Sequence, residues 1–180
     1  MAVPAYKDLC AKLATAVLCV CGSVLLLSFL ADPCYYTLVC GLGLIANCGV
    51  GHALKAVWKS PRPQGEGFGM PSTHSMWGGF QMSFTMMFSE IRTVSTPDFA
   101  MYLMCVALLA PVFRFLSGRH SGKQTLMGFA TGVCVGICWS NAFGHPIGRM
   151  VWSRVYSVVS GVFSPLSPLA RMVVPDLIWA

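Results

Sequence analysis

The chain predicts an all-α integral membrane protein, a bundle of about five transmembrane helices plus a C-terminal interfacial or short sixth helix. Three observations predict it. Hydrophobic residues make up 56% of the 180 residues and charged ones only 10%, against about 25% charged in soluble globular proteins. The charges bound uncharged runs of spanning length, since about 20 apolar residues cross a hydrocarbon core. The segments joining those runs are short, with no repeat or low-complexity linker. A single membrane-embedded domain over residues 1–180 is therefore expected. Soluble, disordered, collagen-like and nucleic-acid-binding classes are excluded, because too few polar groups remain to cover a water-facing surface.

Counting between charges places the spans. The first runs from Leu13 to Ala31, bounded by Lys12 and Asp32. Its apolar stretch is long for a cleavable signal, and Phe29 stands where a small residue would be wanted. The second runs from Pro33 to Leu54 and the third from Gly67 to Phe88, its first third polar. Phe99 to Phe113 is a shorter fourth and Gln124 to Ile147 a fifth. In the fifth, Gly128, Gly132 and Gly136 form a small-xxx-small ridge suited to close helix packing. Tyr156 to Ala170 is apolar enough to continue, but Pro165 and Pro168 interrupt it; it reads as an interfacial or re-entrant segment.

Nine cysteines, mostly inside apolar runs and without a Cys-x-x-Cys pair, argue against a disulfide framework or zinc site and read as small hydrophobes. The net charge of +6 is more informative. Two connections separated by two crossings share a face, so the loop between spans two and three meets the loop between spans four and five. Lys55, Lys59 and Arg62 lie in the first loop, Arg114, Arg119 and Lys123 in the second: 6 of the 12 basic residues, with Glu66 the only acid beside them. His74 and His120 lie in the same two loops.

A positive-inside bias alone would place Lys and Arg in loops, but the local patterns say more. Arg62 precedes Pro63, and His74 sits in Pro71-Ser72-Thr73-His74, where a helix should begin. Ser121-Gly-Lys-Gln124 matches a capping box, which puts His120 just outside a second helix start. Helix N-termini bind anions. Two histidines, fixed cations and two helix N-termini together describe a phosphate site. Phosphoryl transfer needs the equatorial oxygens held, a nucleophile in line and an acid for the leaving oxygen. Lys55, Arg62 and Arg114 suit the first task; one imidazole can attack while the other donates a proton. The six acids are scattered at 8, 32, 66, 90, 98 and 176, so no metal is called for and a metal-independent route without cofactor is expected.

Three linked motifs carry a resemblance. Lys55 with Arg62-Pro63, then Pro71-Ser72-Thr73-His74, then Arg114 followed after five residues by His120, are similar in order and spacing to the signature of the type 2 phosphatidic acid phosphatase superfamily, Lys-x6-Arg-Pro, Pro-Ser-x-His and Ser-Arg-x5-His-x3-Asp. The match covers residues 55–124. The resemblance implies that His120 is the nucleophile that forms a phosphohistidine and that His74 is the acid for the departing oxygen. It also implies that Lys55, Arg62, Ser72 and Arg114 bind phosphate, with Thr73 at a position offering its backbone N–H.

Two positions depart from the signature. Phe113 replaces the serine and Gln124 the aspartate that orients the nucleophilic histidine. Four residues after His120 on a helix, the Gln124 amide oxygen is expected to accept the imidazole N–H without supplying a charge. The branch of the superfamily that hydrolyses dolichyl diphosphate also carries Gln there. It is similar in Gly69 to Ser75 and in Val174 to Trp179 as well. The resemblance thus implies cleavage of dolichyl diphosphate to dolichyl phosphate in the endoplasmic reticulum membrane, recycling the carrier lipid for N-glycosylation. A phosphatase for a sphingoid base phosphate or phosphatidate, and an inactive lipid-phosphate-binding relative, are the alternatives.

Other residues take plainer readings. His52 reads as a hydrogen-bonded bundle histidine and His145 as a loop residue on the far face; Trp58 and Trp77 suit the interfacial aromatic belt, and the methionines fill gaps between helices. Five crossings put the N-terminus on the motif side. Outside the motif loops, Lys7 and Lys12 stand against Arg92, Arg149, Arg154 and Arg171, which leans towards a cytoplasmic C-terminus and a lumenal site.

Overall fold

A computed structural model describes residues 4–31, 35–64, 66–88, 97–144, 146–163 and 165. Among them every regular element is an α-helix: α1 (Ala5–Ala31), α2 (Tyr35–Trp58), α3 (Thr73–Met87), α4 (Pro97–Ala107), α5 (Leu109–Leu116), α6 (Gly122–Gly144) and α7 (Pro146–Phe163). Three described helices, Ala5–Leu30, Tyr35–Trp58 and Gly122–Gly144, are long and apolar enough to cross a membrane. Of the five spans expected from the sequence, the third and fourth fold into shorter helices than their uncharged runs. Residues 67–72 stay outside the helix, leaving α3 only 15 residues. The fourth run is split into α4 and α5 at Leu108. Pro111 explains the split: it has no N–H for the Ala107 carbonyl, and its ring crowds that same carbonyl.

At the N-terminus the helix begins earlier than the uncharged run. Asp8 and Lys12 pair at 2.8 Å across one turn of α1, and the polar first turns continue into the apolar stretch. At the other end Gly144 closes α6 and Pro146 opens α7, a position where its missing N–H costs nothing. Tyr156 to Phe163, expected in an interfacial or re-entrant segment, belong to this helix. Residues 166–170, His145 and Val174 to Trp179 lie outside the described residues.

The centre of the core is α3, a helix of only 15 residues. α3 packs against α1, α2, α4, α5 and α6, and buries Phe80, Phe84 and Phe88 in a ladder of stacked rings 5.5 and 4.8 Å apart. Leu25, Val39, Leu44 and Leu103 close around them. Gln81 is 1% exposed; it donates to the Tyr36 hydroxyl at 3.3 Å and to Thr85 Oγ1 at 3.1 Å. An unpaired buried amide would cost about 1–3 kcal/mol, so the network makes a polar helix tolerable at the bundle axis.

The glycine ridge fixes how α6 meets α3. A Cβ on Gly128 would stand 2.5 Å from the Ser72 carbonyl oxygen, and Cβ atoms on Gly132 and Gly136 would overlap the Met76 carbonyl and the Ser83 hydroxyl. On the facing side, a Cβ on Gly79 would overlap the Phe129 carbonyl. Backbone therefore lies on backbone along the whole contact, as glycine alone permits.

Gly132→Ala should lower stability by about 1–3 kcal/mol, because the obstacle is a main-chain carbonyl that cannot rotate away. Gly49→Ala, whose Cβ meets nothing within 4 Å, should be neutral or gain up to about 1 kcal/mol from helix propensity. Thermal unfolding of the two variants in detergent decides it; equal melting temperatures would remove the ridge from its role.

Candidate functional site

Two loops and the N-terminal turns of α1 meet at one end of the bundle. A polar cleft of about 780 Å³ there is lined by Lys7, Asp8, Arg62, Gln64, Ser117 and Arg119, among others, and Arg119 lies 4.0 Å from Asp8. The loop between α2 and α3 and the loop between α5 and α6 thus share a face, and the start of α1 lies with them.

Each site residue has a local cause for its position. Lys55 occupies the last turn of α2 and donates from Nζ to Thr73 Oγ1 at 3.0 Å. The chain then leaves the helix at Lys59, whose φ is +44°. It runs back on itself so that the Arg62 N–H meets the Gly67 carbonyl at 3.3 Å and the Gly69 N–H meets the Ser60 carbonyl at 2.7 Å. Gly67 permits the reversal with a φ of +83°. Arg62 is held by this folded loop, and its Nε is buried without a hydrogen-bond partner among the described residues.

Ser72 precedes α3 in extended conformation; its hydroxyl accepts from Ser75 Oγ at 3.0 Å and makes no cap bond of its own. The first N–H groups of α3 thus have no side-chain cap from Ser72. His74 sits in that turn, against Arg114 of α5. Arg114 Nη2 lies 3.0 Å from Nδ1 and 2.5 Å from Nε2 of His74. A guanidinium only donates, so the ring nitrogen facing it carries a lone pair. Arg114 Nε, like Arg62 Nε, is buried with no partner among the described residues.

After Arg114, α5 stops in a helix-ending turn. The Ser117 N–H reaches the Phe113 carbonyl at 2.9 Å, and Gly118 takes a φ of +68°. This reversal turns His120 inward, where it is 5% exposed. Its Nδ1 donates to the Gly69 carbonyl oxygen at 2.9 Å, which leaves Nε2 with its lone pair. Burial, then the charges of Arg114 and Arg62, push the His120 pKa down to about 4, with the Gly69 carbonyl opposing them. The imidazole is neutral at neutral pH, the state a nucleophile requires.

Gln124 departs from its expected contact. Its Oε1 accepts the Ser121 N–H at 3.2 Å while its own N–H donates to Ser121 Oγ at 3.2 Å. That is the reciprocal capping box read from the sequence. Its Nε2 donates to Pro61 O at 2.8 Å and to Ser60 Oγ at 3.3 Å. Its backbone carbonyl accepts the Ser72 N–H at 3.2 Å. The amide oxygen is therefore taken, and Gly69, not Gln124, holds the imidazole. An aspartate here would lose the donor that binds the Pro61 carbonyl.

The structure thus brings Lys55, Arg62, Ser72, Thr73, His74, Arg114, His120 and Gln124 to one end of the bundle. Gly69, Ser60 and Pro61 join them as backbone partners that residue types did not announce. His52 is exposed and stands apart from these contacts. Trp77 is half-buried and packed on the core cluster. Among the described residues, no three His, Cys, Asp or Glu side chains gather as a metal site would require. No protein-family model, curated protein or solved structure matches the chain.

The His120 geometry has a spectroscopic consequence. With its pKa moved below the ordinary 6.5 to about 4, the free protein should show a neutral Nδ1–H imidazole down to about pH 5.5. The unfolded chain binds the proton first, so the same shift removes stability as pH falls from about 6.5 towards 4. Imidazole ¹⁵N shifts of histidine-labelled protein report this directly; a His120 midpoint near 6.5, or the Nε2–H tautomer, would contradict it.

Proposed function

We propose that this protein is a metal-independent lipid diphosphate phosphatase that cleaves the terminal phosphate of dolichyl diphosphate. The observation that carries the reading is the pairing of two histidines with buried guanidinium N–H groups that lack acceptors. Arg62 Nε and Arg114 Nε are desolvated donors without partners among the described residues, an arrangement that costs stability unless an anion completes it. A diphosphate head group supplies several acceptor oxygens. The resemblance of the three motifs to the type 2 phosphatidic acid phosphatase signature supports the same reaction, and Gln124 supports the dolichyl branch.

In this reading the terminal phosphoryl group lies between His120 and His74. Lys55, Arg62, Arg114 and the first N–H groups of α3 take its oxygens, and Arg114 leaves His74 for the anion. His120 Nε2 bonds to the terminal phosphorus as the bond to the bridging oxygen breaks. The bound diphosphate, in its monoprotonated form, passes its proton to the His74 ring that Arg114 has released. The bridging oxygen takes that proton from His74 as it leaves on dolichyl phosphate. The phosphorylated ring becomes cationic, and its Nδ1–H keeps the Gly69 carbonyl, whose dipole faces the new charge. His74, now neutral, takes a proton from water; the water oxygen bonds to phosphorus, the P–N bond breaks, and inorganic phosphate leaves.

The bundle would lie in the endoplasmic reticulum membrane, its site facing the lumen. Five crossings result if α3 with its lead-in and the α4–α5 pair each count as one. The α4–α5 pair supports this, since Met101–Leu116 is apolar throughout apart from Arg114. The product would return the carrier lipid to N-glycosylation.

Phosphate release from dolichyl diphosphate by purified protein in detergent, with excess chelator, tests the proposal. Wild type should turn over and His120→Ala should lose at least about 10³-fold. Activity that chelator abolishes and magnesium restores, or turnover that survives in His120→Ala, would exclude this mechanism.

A further inference from the structure

We infer that an apolar groove between α1 and α2 holds the first isoprene units of the lipid substrate, an assignment that rests on the lipid-diphosphate reading. The groove has a volume of about 410 Å³ and is lined by Leu25 and Leu26 of α1, by Gly41, Ile45 and Cys48 of α2, and by Trp77 of α3, among others. That size lies within the 300–1,000 Å³ common to ligand clefts, at roughly the lower end. Leu26 and Ile45 on its rim are 58% and 71% exposed, so the groove opens sideways, in the direction a bilayer would occupy.

Its position relative to the site identifies the occupant. Both α2 and α3 carry site residues towards the same end. On α2, Cys48 precedes Lys55 by seven residues, two turns on one face. On α3, Trp77 follows His74 by three residues, about 4.5 Å along the axis. The groove therefore begins one helical turn from the proposed acid and runs away from it past Cys48, Ile45 and Gly41. A molecule that is anionic at one end and hydrocarbon beyond matches this order. At the junction, Trp77 Nε1 is buried without a hydrogen-bond partner among the described residues. A lipid with an anionic head group would reach the site residues one turn beyond, whereas a plain hydrocarbon would gain nothing there.

Gly41 provides a clean way to fill the groove, because a Cβ there meets nothing within 4 Å. The probe is a polyprenyl monophosphate carrying a diazirine in its first isoprene units. It is photolysed with the full chain in phosphatidylcholine vesicles, and adducts are mapped by mass spectrometry. Wild type and Gly41→Ala should be labelled on the groove walls and Trp77. Gly41→Phe, with an unchanged melting temperature, should lose about tenfold of that labelling. Should Gly41→Phe melt early, Gly41→Leu takes its place. A phosphate-free polyprenol probe should label the groove about tenfold less than the monophosphate. Adducts confined to other surfaces, adducts indifferent to the filled groove, or equal labelling by the polyprenol would overturn the assignment. Because labelling needs no turnover, a protein that releases no phosphate yet labels here would refute the enzymatic reading and leave the groove standing.

Discussion

Everything at the site end depends on the contact of α6 with α3 through glycine. Gly128, Gly132 and Gly136 let two backbones touch where side chains would hold them apart, and that closeness puts the Ser72 N–H on the Gln124 carbonyl. From this one bond the rest follows. Ser72 opens the helix that carries His74, and Gln124 caps the helix that follows His120. The Gln124 amide then reaches the third strand of loop, at Ser60 and Pro61. One residue, through its side chain and its main-chain carbonyl, thus joins three segments far apart in sequence, and Gly69, brought against it, presents its carbonyl to His120. Packing and chemistry share the same few atoms.

The electrostatics oppose the packing. Lys55, Arg62 and Arg114 act as like charges on a buried imidazole, and no carboxylate lies among the groups that shift it. In a low-dielectric end of a bundle this repulsion is substantial, and backbone bonds, the capping box and the Gln124 amide hold the loops in place against it. Such an arrangement is what an anion site requires before its anion arrives: donors oriented in advance, with no carboxylate paired to Arg62 or Arg114 among the described residues. The neutral Gly69 carbonyl in place of a carboxylate has the same consequence. It orients the ring and fixes its tautomer without lowering the positive potential the phosphate would meet.

Short-range patterns were the legible part of the sequence. Ser121 to Gln124 reads as a capping box within four residues, and it forms one. The glycine spacing of the fifth span reads as a packing ridge, and the charge-bounded runs bring the two motif loops to one face. The contacts that failed to show are those made across the bundle. Nothing in the residue types says that the Gly69 carbonyl, 51 positions away, holds His120. Nothing says that Gln124 turns its amide towards Pro61 and away from the imidazole. Nor does residue type say that Trp77 packs half-buried on the core cluster. Helix lengths lay between these cases: Pro111 was a visible signal for the break before α5, whereas the six residues withheld from α3 follow from the loop they form with Ser60 and Arg62.

The most direct test is to trap the covalent state. Dolichyl diphosphate labelled with ³²P at its terminal phosphate would be mixed with wild type and quenched in alkali within the first turnover. The expected result is a stable, acid-labile phosphoryl group mapping to the His120 peptide and missing from His120→Ala. Label on any other residue, or free phosphate appearing in His120→Ala as fast as in wild type, would contradict the account.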